Sequence, residues 1–158
     1  MTELKHTIDI LNQIPFFQTF PDAAKSSIVS MTKMITIPAG KDLMAEGDLN
    51  TSFYFLLEGA VEIYVNNQIV AGTKKFGEVF GEMSILSQTT CLATVKAKVD
   101  SSFFIVKAHD LINLDYDSKD KVLKHFYQSC AEVLAIKLKA TNQIASAYRE
   151  VFNSLKKS

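Results

Sequence analysis

The chain reads as a mainly β protein, a β-roll or jelly-roll barrel with helices packed at both ends. Three observations predict this. Between Thr32 and Val106, β-forming residues come in short runs of period two, with turn signals every ~8–12 residues. Ahead of them lie two short helical patterns broken at Pro15 and Pro21. Behind them, from Lys119 to Phe152, there is neither glycine nor proline, which suits one long helix.

At 158 residues and 47% apolar content the chain suits a single domain with a proper core. The expected organisation is N-terminal helices over 1–34, a β-roll over 35–107 and C-terminal helices over 108–158, the long one over about 119–155. Leu4, Ile8, Leu11 and Ile14 set the first helix at near-helical spacing. Phe20-Pro21-Asp22 reads as the start of a second, running through Ala24, Ile28, Val29 and Met31. Phe16-Phe17 between them reads as a staple onto the barrel or as an exposed docking spot.

The strand series begins with Met34–Ile37, stopped by Pro38-Ala39-Gly40. Phe53–Leu57 and Ala60–Val65 flank Glu58-Gly59. Asn66-Asn67 suits a tight hairpin turn, because asparagine tolerates positive φ. Gln68–Ala71, Ala93–Ala97 and Ser102–Val106 continue the set. His109–Leu114 reads as a short helix and Asp115–Ser118 as a break with capping side chains.

Composition excludes several classes. Seventeen basic and seventeen acidic side chains give no net field for a single-sign nucleic-acid surface. Cys91 and Cys130 have no paired spacing, and reduced thiols in a cytoplasmic protein are the plain expectation. No signal-peptide pattern and no ~18–20-residue apolar run is present. His6, His109 and His125 fall in separate segments, so no metal site and no cofactor is expected. No nucleophile motif, Walker loop or acid–base pair stands out, and an enzyme is not expected.

The most informative stretch is Val79-Phe80-Gly81-Glu82-Met83-Ser84-Ile85-Leu86, followed by Ser87-Gln88-Thr89-Thr90 and then Cys91-Leu92-Ala93-Thr94-Val95. It resembles the phosphate-binding cassette (79–95) of the cyclic-nucleotide-binding domain family, the family of catabolite activator proteins and protein kinase A regulatory subunits. Gly40, Gly47, Gly59, Gly77 and Gly81 also fall where that family places turn glycines. The resemblance covers roughly residues 14–142 and implies that family's β-roll.

The resemblance further implies that the backbone amides of Met83 and Ser84 cradle a cyclic phosphate, as helix N-termini do for anions. It implies that Glu82 accepts from a ribose 2′-hydroxyl, with Phe80 and Gly81 framing the turn; the alternative for Glu82 is a structural carboxylate satisfied by backbone amides. One element is missing. Where the family places an arginine that pairs the phosphate charge, this chain has Cys91, followed by Leu92. Its one arginine is Arg149. A thiol carries no charge unless unusually acidic, and a thiolate repels phosphate. Losing a charge-assisted hydrogen bond of ~1.5–3 kcal/mol weakens binding on the order of 10–100-fold or more. Lys74, Lys75, Lys96 and Lys98 are the substitutes at hand, and none holds the matching position. Cys91 reads as a small core residue facing the pocket, with a redox role the lesser alternative.

The long helix carries two apolar stripes. One holds Val122, Phe126, Val133, Ile136, Ile144 and Val151. The other runs Leu123, Tyr127, Cys130, Leu134, Leu138, Thr141, Ala145 and Tyr148, then on through Phe152 and Leu155, stepping mostly by threes and fours as a coiled-coil seam does. One stripe suits the barrel and the other a partner, so a homodimer through this helix is expected, with one broad face packed within a monomer the alternative. Too little chain follows Phe152 for a winged helix-turn-helix, and direct DNA binding is not expected.

The expectation is a non-catalytic regulatory module, dimeric and binding a protein partner, unable to bind cyclic AMP or cyclic GMP in the usual way. The alternative is a stand-alone sensor that takes a cyclic nucleotide, or a ligand lacking the cyclic phosphate, through Glu82 and the cassette backbone.

Overall fold

The computed structural model describes residues 2–157, apart from the side chain of Tyr116. Helix α1 (Thr2–Gln13), a 3-10 turn (Pro15–Phe17) and α2 (Asp22–Met31) precede eight strands. These are β1 (Lys33–Ile37), β2 (Asp42–Met44), β3 (Ser52–Glu58), β4 (Val61–Val65), β5 (Gln68–Thr73), β6 (Val79–Phe80), β7 (Thr94–Ala97) and β8 (Ser101–Lys107). Helix α3 (Glu82–Ser87) lies between β6 and β7, and α4 (Ala108–Ile112) and α5 (Tyr116–Lys157) close the chain. Among the described residues no helix is long and apolar enough to cross a membrane.

The strands form two four-stranded antiparallel sheets in the orders β1-β8-β3-β6 and β2-β7-β4-β5. Apart from the β4–β5 hairpin, successive strands alternate between the sheets, so the roll closes around side chains from both. Leu56, Val61, Phe80, Val95 and Phe103 fill the space between the sheets. The β4–β5 hairpin turns at Asn66 and Asn67, which take φ of 51° and 60°, the left-handed pair that a two-residue hairpin turn demands. β2 was not anticipated. It has three residues, too few to show alternation, and exists because β7 pairs with it.

A second core lies between the first sheet and the helices. Phe16 and Phe17 are buried at its centre, which removes the docking-spot reading. Phe126 of α5 stands edge-on to Phe16 (centroids 4.9 Å apart) and to Phe53 of β3 (4.6 Å). Ser129 Oγ donates to the Phe16 carbonyl at 2.8 Å, tying the long helix to the 3-10 turn.

The long helix departs from expectation in two respects. It starts at Tyr116 rather than near Lys119, because Asp115 caps it: Oδ1 accepts from the Ser118 amide at 2.9 Å, and this holds the Asp115 carboxyl below its usual range. Its buried face is Val122, Phe126, Ser129 and Cys130, with Leu123 and Val133 packed at the margin. Cys130 is only 1% exposed, so it belongs to the barrel contact and not to a partner-facing seam. Leu123 likewise serves the core. Tyr127, Leu138, Thr141, Ala145 and Tyr148 remain exposed, and Leu134 is half-buried. The reason is geometric. Burial on a straight helix recurs every 3.6 residues, whereas a heptad seam recurs every 3.5, so the stripes drift past one another.

Candidate functional site

The cassette begins where β6 ends. Gly81 takes φ of 89°, and a Cβ there would lie 2.4 Å from the Ser52 carbonyl oxygen and 2.6 Å from Asn50 Nδ2. Only glycine fits this turn, and it aims α3 back into the roll. Ile85 and Leu86 pack against the helix-side core, and Glu82 and Ser84 are buried.

Asn50, which the sequence reading did not single out, pins the turn. Its Nδ2 donates to the Ser52 carbonyl at 2.9 Å, to the Gly81 carbonyl at 3.2 Å and to Ser84 Oγ at 3.2 Å. Its Oδ1 accepts from the Ser52 amide at 3.2 Å. Ser84 Oγ in turn donates to the Gly81 carbonyl at 3.1 Å.

Cys91 sits opposite, 2% exposed. Its backbone is held on both sides: its amide donates to the Asp48 carbonyl and its carbonyl accepts from the Gly47 amide, each at 2.8 Å. Burial, aided by the Asp48 carboxylate, raises the thiol above its ordinary range, against the opposing effect of Ser84. The group at this position is therefore a neutral, buried S–H. It offers a phosphate neither a charge nor a strong donor.

The main feature of the site comes from outside the cassette. Lys137 lies on α5, and its Nζ donates to Glu82 Oε1 at 2.5 Å and to the Val79 carbonyl at 2.9 Å. The same ammonium lies 5.7 Å from the centre of the Phe80 ring. The Glu82 carboxylate is 2% exposed and Lys137 about one-third exposed, so the acidic partner is shielded from water and the basic one is not. The carboxylate that the resemblance assigns to a ribose hydroxyl is already satisfied by a cation of the same chain. Its spacing of 55 residues from Glu82 left no signature in the sequence.

Phe80, Glu82, Ser84 and Cys91 are all buried; Ser84 lies against the Cys91 thiol, whereas Glu82 meets Lys137 of α5. The side chains of Met83 and Leu92 do not join them; both are substantially exposed. Nor do the nearby lysines. Lys96 pairs with Asp42 at 3.6 Å, and Lys98 pairs with Glu62 at 3.7 Å. Glu82 is engaged by Lys137, and Cys91 presents no charge.

Residues 34–115 match the family model described as cyclic nucleotide-binding domain. Over 89 residues the chain is 27% identical to a cAMP-dependent protein kinase regulatory subunit of Schizosaccharomyces pombe, a match spanning 56% of this chain and 22% of that one. A cyclic nucleotide-binding domain from Methylobacillus flagellatus superposes with a TM-score of 0.75 at 20% identity, over 90% of this chain and 82% of that one. The regulatory subunit of a cAMP-independent protein kinase A from Trypanosoma cruzi, bound to guanosine, superposes with a TM-score of 0.62 at 20% identity, over 72% of this chain and 40% of that one.

Proposed function

Because the chain belongs to the cyclic nucleotide-binding domain family, we propose that it is a non-catalytic regulatory module whose nucleotide pocket is held closed from within. Lys137 carries this reading. It occupies the carboxylate that a ribose would need, and Cys91 leaves no cation for the phosphate. A cyclic nucleotide must therefore take a buried carboxylate from its lysine and then bury its own anion unpaired. Each step opposes binding. The module acts instead through α5, whose exposed apolar residues beyond Lys137 pair with a second copy. A protein partner then reads the assembled module.

A second reading rests on the neutrality of Cys91. A buried thiol rejects a phosphate but tolerates an uncharged sugar, and the trypanosome relative is one bound to a nucleoside. On that reading the ligand is a nucleoside whose ribose hydroxyls displace Lys137 from Glu82.

Calorimetric titration of cyclic AMP, cyclic GMP, cyclic di-GMP, adenosine and guanosine into the full chain separates these. The closed-pocket reading predicts no saturable heat with any of them. Micromolar binding of a cyclic nucleotide that is lost in Glu82→Ala overturns it. Binding of a nucleoside alone selects the second reading.

A further inference from the structure

The half of α5 that has left the barrel carries more apolar surface than one partner helix covers. At about 100° per residue, Leu138, Thr141, Ala145, Tyr148 and Phe152 fall within one arc of the helix. Ile136, Ala140, Ile144, Ala147 and Val151 fall within a second arc directly beside it. Together the arcs span about half the circumference, and Lys139, Asn142, Arg149 and Glu150 hold the other half. The exposures are high on both: Tyr148 is 73% and Phe152 57% exposed on the first arc, Ile144 59% and Val151 58% on the second.

In a two-stranded coiled coil the seam is narrow and the positions flanking it are charged. Here, with Leu138, Ala145 and Phe152 at heptad position a and Thr141 and Tyr148 at d, the flanking g positions past Lys137 are Ile144 and Val151. An apolar face widened to a, d and g belongs to a helix with two neighbours in a bundle. A dimer on the first seam would leave the Ile136–Val151 stripe, about 22 Å long, bare along its outside. The commonest closed assembly giving every helix two neighbours is a pair of dimers.

We propose that four copies of this chain assemble through a four-helix bundle built by the free half of α5. Two helix pairs form on the Leu138–Phe152 seam and join through Ile136, Ile144 and Val151. The pairing step rests on the dimer reading above; the joining step does not follow from it. The charged strip of Lys139, Arg149 and Glu150 stays on the outside, in water.

Light scattering coupled to size exclusion, on the full chain over a range of concentrations, tests both steps. The wild type is expected at four chains. Ile144→Glu with Val151→Glu is expected to halve the mass to two chains, and Tyr148→Glu with Phe152→Glu to reduce it to one. These residues are exposed and distant from the core, and an unchanged thermal transition of the barrel confirms that the variants fold. A two-chain wild type that Ile144→Glu with Val151→Glu leaves unchanged overturns the bundle but keeps the pair. A one-chain wild type overturns both. A four-chain assembly indifferent to Ile144 and Val151 also overturns the bundle.

Discussion

Lys137 and Glu82 lie 55 residues apart in sequence, yet the ammonium of one meets the buried carboxylate of the other at 2.5 Å. Lys137 also stands where α5 leaves the barrel. Up to Cys130 the helix buries side chains in the core, and past Lys137 it is exposed. The pair therefore joins the cassette to α5 where the helix leaves the core, and whatever takes Glu82 must displace Lys137.

Lys137→Met leaves Glu82 buried with its cationic partner removed. Loss of about 1–3 kcal/mol of unfolding free energy is expected by urea denaturation, the cost of a buried acceptor left unpaired. Adding Glu82→Gln should recover part of that loss, since the amide carries no charge to strand. Strict additivity of the two substitutions would show that they do not interact.

Asn50→Ala removes the side chain that holds Ser52, Gly81 and Ser84 together. A loss of about 1–3 kcal/mol is expected, since buried polar groups lose their partner. Faster amide exchange should be confined to 81–89. Uniform acceleration across both sheets would mean that Asn50 supports the whole roll rather than the turn.

The two-sheet roll, the hairpin and the burial of Phe16-Phe17 were legible because each depends on local pattern. Period-two runs make strands, two asparagines accept left-handed backbone, and a proline separates the helices. The parts that escaped are long-range. Asn50 and Lys137 are ordinary polar residues until the fold brings Gly81 and Glu82 to them. Cys130 fits a seam by counting, but burial follows the barrel's position, and there the 3.6-residue period wins. The cassette residues could be named from the sequence; the lysine that engages Glu82 could not.

Phe126→Ala should cost about 3–5 kcal/mol, because the ring contacts Phe16, Phe17, Phe20 and Phe53 in a closed core. The equilibrium midpoint in guanidinium measures it. A loss below ~1 kcal/mol would mean that α5 packs only loosely against the barrel.

Burial pushes the Cys130 thiol up to about 12, with Glu82 adding in the same direction. In the unfolded chain a thiol loses its proton near ~8.5. Between those values the unfolded state binds fewer protons than the folded one, so stability falls as pH rises, by as much as ~1.4 kcal/mol per pH unit. Below about pH 8 the group contributes no slope. Urea midpoints at about pH 8 and about pH 10 should therefore differ more in the wild type than in Cys130→Ala. Equal differences would place the thiol in contact with water.

The closed pocket is tested most directly by titrating cyclic AMP calorimetrically into Cys91→Arg with Leu92→Ser, with and without Lys137→Ala, once each variant shows a cooperative thermal transition. The restored arginine alone should bind weakly or not at all, and removal of Lys137 should tighten binding on the order of 10-fold or more. Equal affinity in the two variants would contradict the account, since Lys137 would then be no obstacle at Glu82.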